Sequence, residues 1–191
     1  MRRSAVLLAR ALRLGGDRAG VAAVEFAMVL PMFGLLLAGV VDLGNVLYTR
    51  FRLDSAVSAA ADYVEVNAAA VSSTGGATLA SNAATIVQSS QGSNWANASV
   101  VINDGPTSTI NNGTSSAGGT ATAADSCYCP TYSGGTTTWG GGVTCGSACA
   151  SGPSAGKFVI ITASHTYTPV FSTYGIVRNG TISSSATVET Q

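Results

Sequence analysis

Charged side chains are scarce in this chain of 191 residues: they make up 9% of it, whereas soluble domains contain about 25%. Between Val66 and Gly156 the only charges are those of Asp104 and Asp125. No basic patch with interleaved aromatic residues occurs outside the N-terminal segment, so we predict no nucleic-acid partner. The chain has a single histidine, His165, and it lacks the HExxH, GxSxG and P-loop patterns. We therefore predict no enzyme, no cofactor and no metal site.

Basic residues are concentrated at the N-terminus, where five of the nine occur: Arg2, Arg3, Arg10, Arg13 and Arg18. The uncharged apolar run Phe26–Val41 follows, inside a mostly apolar stretch from Val21 to Tyr48. A bilayer core needs about 20 apolar residues, so we predict a transmembrane helix over residues 21–48. The positive-inside rule then makes residues 1–20 a basic cytoplasmic leader and exports the C-terminal part. A cleaved secretory signal is the alternative, but no small-x-small site follows the apolar run closely.

Helical spacing of apolar residues continues beyond this run and predicts an extension of the helix over residues 49–67. Its apolar positions are Leu47, Phe51, Val57, Ala60, Ala61 and Val64. We expect a second helix over Thr78–Ser90, strands over Ser99–Asn103, Lys157–Val170 and Thr181–Glu189, and a loop over Asn111–Ala124. The predicted fold class is α+β: a long N-terminal transmembrane helix continues into a small exported domain, residues 68–191, with a short antiparallel sheet and Gly/Ser/Thr-rich loops.

Four cysteines lie in one short window of the C-terminal half: Cys127, Cys129, Cys145 and Cys149. Structural zinc sites use pairs separated by about two to four residues. Cys145 and Cys149 fit that spacing, but Cys127 and Cys129 are too close. An even number of cysteines in an exported domain favours disulfides. Three connectivities are open, and we favour pairing across the loop over a local bridge.

Gly20, Val21, Glu25 and Phe26 form a motif at the start of the apolar run. A carboxylate costs about 2.5–3.5 kcal/mol at the centre of a membrane helix and less near the interface, so Glu25 needs a partner. If the chain is cut after Gly20, Val21 becomes a free amine on the same helix face as Glu25, one turn away. The carboxylate could pair with that amine or with the amine of a neighbouring subunit. Gly34 and Ala38 form a small-xxx-small pair that lets membrane helices approach closely.

This motif resembles the class III signal of type IV prepilins, in which a Gly precedes the cut and a Glu occupies the fifth mature position. From Gly15 to about Val64 the chain resembles the TadE family of minor pseudopilins of the tight-adherence pilus system. The resemblance implies a pilin-like fold, processing between Gly20 and Val21 by a prepilin peptidase, and subunit docking through Glu25 and Phe26.

The resemblance also implies a place for the chain in the cell. It implies a single-pass protein of the bacterial inner membrane, with a cytoplasmic N-terminus and a periplasmic or extracellular C-terminal domain. Its partners would be other pilin or pseudopilin subunits and the platform that assembles a Flp/type IVb pilus or a related secretion machine. A membrane-anchored surface binding module or adhesin that no prepilin peptidase processes is the alternative. A membrane-anchored hydrolase that uses His165 is a third, weaker hypothesis.

Overall fold

The computed structural model describes residues 20–150, 152–169, 177 and 180–191. The predicted leader therefore lies outside the described residues except for Gly20. The chain divides into two compact units, Met1–Gly44 and Asn45–Gln191. The predicted α+β architecture is confirmed: a long apolar helix precedes a small domain that contains an antiparallel sheet.

Helix α1 runs from Val21 to Val66 without interruption. Its 46 residues correspond to about 69 Å at ~1.5 Å per residue. It is long and apolar enough to cross a membrane, and the helical path continues through Pro31. Proline is tolerated in this way in membrane helices. The division of the helix between residues 48 and 49 stays a prediction.

In its described residues the second unit contains the C-terminal part of α1, helix α2 and seven strands. After a 3₁₀ turn at Ala68–Ala70, α2 spans Gly76–Ser89. The strands are β1 (Asn97–Ile102), β2 (Thr107–Asn111), β3 (Thr114–Gly118), β4 (Thr131–Ser133), β5 (Thr136–Thr138), β6 (Phe158–Thr166) and β7 (Thr181–Glu189). Five of them form one antiparallel sheet in the order β3-β2-β1-β6-β7. Strands β4 and β5 form a separate hairpin.

The prediction of a loop over Asn111–Ala124 is wrong for the first part of that range, which contains β3. The turn between β2 and β3 has two central residues, Asn112 at φ 47° and Gly113 at φ 79°. Positive φ at both positions is the type I′ geometry, whose twist matches that of paired strands. A Cβ on Gly113 would also clash with the side-chain amide of Asn94. This turn brings a Gly/Ser/Thr-rich segment into the sheet.

The hydrophobic core lies on one face of the sheet, beneath the two helices. In α1 the buried residues recur at helical spacing: Leu53, Val57, Ala60 and Val64. In α2 they are Leu79, Ala80, Ala83, Ala84 and Val87. The sheet contributes Val100, Ile102, Val159 and Ile161, all fully buried. The expectation that Leu47 and Phe51 share this apolar stripe is wrong, because both side chains are exposed.

Candidate processing and docking site

The start of α1 coincides with the predicted processing motif. The helix begins at Val21, so the bond between Gly20 and Val21 joins the helix to the preceding chain. Val21, Glu25 and Phe26 are all exposed. Glu25 follows Val21 by one helical turn, which places both residues on one face. An amine freed at Val21 and the Glu25 carboxylate would therefore lie at one end and on one side of the helix.

The helix surface beyond the motif is apolar and open. Exposed large side chains are distributed along it, among them Val24, Met28, Met32, Leu36 and Val40. Apart from its chain neighbours and the adjacent backbone of the helix itself, no described atom lies within 4 Å of a Cβ built on Gly34, and Ala38 is half-buried. Close helix packing at this pair stays a prediction. Asp42 is an exception to the exposure, because its side chain is fully buried.

The cysteines form two disulfides, which confirms that the domain is disulfide-bonded. Cys127 pairs with Cys145, and Cys129 pairs with Cys149, so both bonds cross the loop. Within the described ranges there is no group of three or more His, Cys, Asp or Glu side chains that could hold a metal ion. The backbone reinforces the crossing, since Cys127 and Val143 exchange two hydrogen bonds of 3.3 and 2.8 Å. These bonds and the two disulfides close the base of the segment that contains the β4–β5 hairpin.

A buried asparagine that the sequence patterns did not single out connects this loop to the sheet. Asn103 is fully buried, with φ 56°. Its Nδ2 donates to the carbonyl oxygen of Ser126 at 2.5 Å, and the Phe158 N–H donates to its Oδ1 at 3.4 Å. Its backbone N–H donates to the Phe158 carbonyl at 2.7 Å. The one local signal was the following Asp104-Gly105-Pro106 turn, since Asn tolerates the left-handed region.

A second polar contact joins the segment before α2 to the 3₁₀ turn Ala121–Asp125. The backbone N–H of Ser73 donates to Oδ1 of Asp125 at 2.8 Å. This bond stabilises the charged carboxylate and so holds the pKa of Asp125 below its ordinary value of 3.8.

His165 lies at the end of β6 and contacts Trp95. Its Nδ1 donates to the Trp95 carbonyl oxygen at 2.5 Å. The two rings stack with centroids 4.9 Å apart. In a Ser-His-Asp triad, Nδ1 of the histidine donates to a carboxylate that orients the ring. In His165 a main-chain carbonyl takes the place of that carboxylate. The contact therefore supports a structural role for His165.

The first part of the chain matches a known protein family. Residues 20–62 match the model of the TadE-like protein family. This match confirms the resemblance seen in the sequence and includes Gly20, Val21, Glu25 and Phe26. It ends within α1, before α2 and the sheet. Comparisons with curated proteins and with solved structures give no match.

Proposed function

We propose, on the premise that residues 20–62 are similar to TadE-like proteins, that the chain is a minor pseudopilin-like, membrane-anchored subunit. It supports assembly of a tight-adherence pilus or a related secretion machine. The family suggests involvement in Tad pilus assembly, and a candidate membrane helix followed by a separate domain fits a membrane-anchored protein. The observation that carries the proposal is that the match begins at Gly20 and α1 begins at the next residue.

The proposed mechanism is helix packing after removal of the leader. A prepilin peptidase cuts between Gly20 and Val21, and the new amine adds a full positive charge to the partial positive charge of the helix N-terminus. The Glu25 carboxylate then pairs with this amine or with that of a neighbouring pilin subunit. The exposed apolar side chains of residues 21–41 pack in lipid before assembly and against neighbouring helices after it.

The proposed location follows from the same arrangement. The leader arginines keep the N-terminus in the cytoplasm, α1 crosses the inner membrane once, and the sheet domain is exported. The assembly platform and other pilin subunits would be the partners of α1. No step in this role requires catalysis by the chain.

The first test of the proposal is processing. In a strain with an active prepilin peptidase, mass spectrometry of the membrane-extracted protein should find Val21 as the N-terminus. Gly20→Leu should abolish this product because a side chain obstructs the approach of the peptidase to the backbone. Gly39→Leu is the matched control and should be cut normally, since a Cβ at Gly39 meets no described atom within 4 Å beyond its chain neighbours and the adjacent backbone of the helix. An intact leader in the wild-type protein would refute processing and favour the unprocessed binding-module alternative.

The second test separates docking from insertion. Glu25→Ala removes a costly membrane carboxylate, so the protein should insert as well as the wild type. It should fail to support pilus assembly, because the partner of the Val21 amine is lost. Glu65→Ala is the control: Glu65 is exposed on the same helix but lies outside the apolar run, and assembly should persist. Normal piliation with Glu25→Ala would show that this carboxylate is not the docking group.

A further inference from the structure

The β4–β5 hairpin lies against the outer face of the sheet, and a cleft opens between them. Tyr132 and Thr137 are cross-strand partners in the hairpin, so their side chains lie on the same face of it. In the sheet, Ile160 and Thr187 are cross-strand partners in the same way. All four residues line both of two adjacent cavities, of about 500 and about 120 Å³. The two cavities therefore form one continuous space, which we call the hairpin cleft.

The smaller part of the hairpin cleft is aromatic. Trp139 and Phe158 line it together with Tyr132. The ring of Trp139 meets the buried ring of Tyr128 edge-on, with centroids 5.9 Å apart. Tyr128 is held in turn, because its hydroxyl donates to the Ala123 carbonyl at 3.2 Å. Trp139 is therefore fixed by its neighbours, whereas Tyr132 lines the cleft and is still 73% exposed, so its ring is available to a ligand.

The larger part of the hairpin cleft is polar and balanced in charge. It extends around β7, because Ser183 and Ser185 of the outer face and Ser184 of the core side all line it. Arg50 and Asp54 of α1 close it on the far side, one helical turn apart and on one face of the helix. They are the only charged residues in the lining, so their charges cancel. The volume of this part falls within the roughly 300–1,000 Å³ that is usual for small-molecule sites.

This combination of side chains selects the chemistry of the ligand. A guanidinium only donates hydrogen bonds, a carboxylate only accepts them, and Ser and Thr hydroxyls do both. A pyranose sugar has hydroxyls around its rim, which donate and accept, and an apolar C–H face, which stacks on an aromatic ring. An anion would be attracted to Arg50 but repelled by Asp54, and a cation would meet the reverse. A neutral sugar avoids both repulsions and satisfies both kinds of polar group.

We propose that the hairpin cleft binds a neutral hexopyranose ring. The C–H face of the sugar stacks on Tyr132, and its hydroxyls bond to Arg50, Asp54 and the serines of β7. Two disulfides close the base of the segment that contains the hairpin, so the aromatic wall is ordered before the ligand arrives, which lowers the entropic cost of binding. Sugar binding does not depend on the proposed role in pilus assembly.

The first test compares ligands that differ only in charge. The full chain is kept in a detergent without a sugar headgroup, and binding is measured by saturation-transfer NMR and calorimetry. The methyl glycosides of glucose, galactose and mannose are each compared with the uronate and the amino sugar of the same configuration. At least one neutral glycoside should bind, and it should bind more tightly than both of its charged counterparts. Absence of binding by all three neutral glycosides, or preference for a charged sugar or for L-phenylalanine, would overturn the proposal.

The second test removes the aromatic ring. Tyr132→Ala should weaken binding of the preferred glycoside roughly tenfold, which corresponds to about 1.4 kcal/mol, whereas Tyr132→Phe keeps the ring and should keep most of the affinity. Tyr48→Ala is the matched control, because Tyr48 is also an exposed tyrosine but lines neither part of the cleft. Urea unfolding of each variant checks that the domain is intact. Equal losses for Tyr132→Ala and Tyr48→Ala would place the sugar elsewhere and reject the cleft.

The third test changes the charge of the cleft. Asp54→Asn leaves Arg50 uncompensated and should shift the preference several-fold towards the uronate, and Arg50→Gln should shift it several-fold towards the amino sugar. Shifts in opposite directions would not arise from a general loss of structure. Unchanged selectivity in both variants would contradict the proposal. A trisaccharide of the preferred sugar distinguishes the source of the ligand, since tighter binding than that of the single ring indicates a polysaccharide and equal binding indicates the free sugar.

Discussion

Asn103 offers a quantitative test of how the disulfide-bonded loop is held to the sheet. Replacing it by alanine removes the bond to the Ser126 carbonyl and the bond from the Phe158 N–H. Each buried hydrogen bond contributes about 1 kcal/mol net, and more where a partner is left unsatisfied. Alanine must also adopt φ 56°, which costs about 1–2 kcal/mol. We therefore expect Asn103→Ala to destabilise the domain by about 3–4 kcal/mol.

Glycine separates the two contributions. Asn103→Gly loses the same side-chain bonds but adopts positive φ without strain, so its loss of stability should be about 2 kcal/mol. The assay is urea unfolding of the full chain in detergent with the disulfides intact, followed by tryptophan fluorescence from Trp95 and Trp139. Asn111→Ala serves as a control because Asn111 is exposed at the end of β2. A loss below about 0.5 kcal/mol for Asn103→Ala, or a larger loss for glycine than for alanine, would refute the proposed role of Asn103.

Three further predictions concern the cysteines, one carboxylate and the topology. Alkylation of the unfolded protein without reduction should label no cysteine, whereas labelling of four thiols would exclude the disulfides. Replacing both Cys127 and Cys145 by Ser should lower the free energy of unfolding by roughly 3 kcal/mol in the loop-entropy model. Because the folded pKa of Asp125 is lowered from 3.8, its stabilisation is complete above that unfolded value and is lost as the pH falls through the folded pKa. The stability difference between the wild type and Asp125→Asn should therefore shrink in that acidic range, and a constant difference would contradict the Ser73 contact. A reporter active only in the periplasm should work when fused after Gln191, and activity of a cytoplasmic reporter at that site would reverse the orientation.

The parts of the fold that were predictable depend on local signals. The apolar run and the helical spacing predicted a helix over residues 21–67, and α1 spans Val21–Val66. The β-branched pattern predicted a strand over Thr181–Glu189, and β7 has those bounds. The expected strand Lys157–Val170 is shorter in the structure, Phe158–Thr166, and Val170 lies outside the described residues.

The parts that were missed depend on contacts distant in sequence. β2 and β3 are rich in Ser, Thr and Gly, a composition typical of loops, and only their pairing and the packing of Ile110 in the core make them strands. The Asn112-Gly113 pair was the local signal for this hairpin. Asn103 could not be recognised as a connecting residue because its side-chain partners, at Ala123, Ser126 and Phe158, are 20, 23 and 55 positions away. The motif from Gly20 to Phe26 was found because it is contiguous, and its roles in processing and docking stay predictions.

The position of the disulfides has a consequence for the order of biogenesis. The bridged segment Cys127–Cys149 precedes β6, and its β4–β5 hairpin shares a small cavity with Phe158 and Ile160 on the outer face of the sheet. Cysteines are kept reduced in the cytoplasm and oxidise outside it. If the domain is exported as proposed, the disulfides that bracket the hairpin form only after translocation. A chain retained inside the cell would have these outer side chains less shielded, which gives quality-control proteases a means to distinguish it from an exported one.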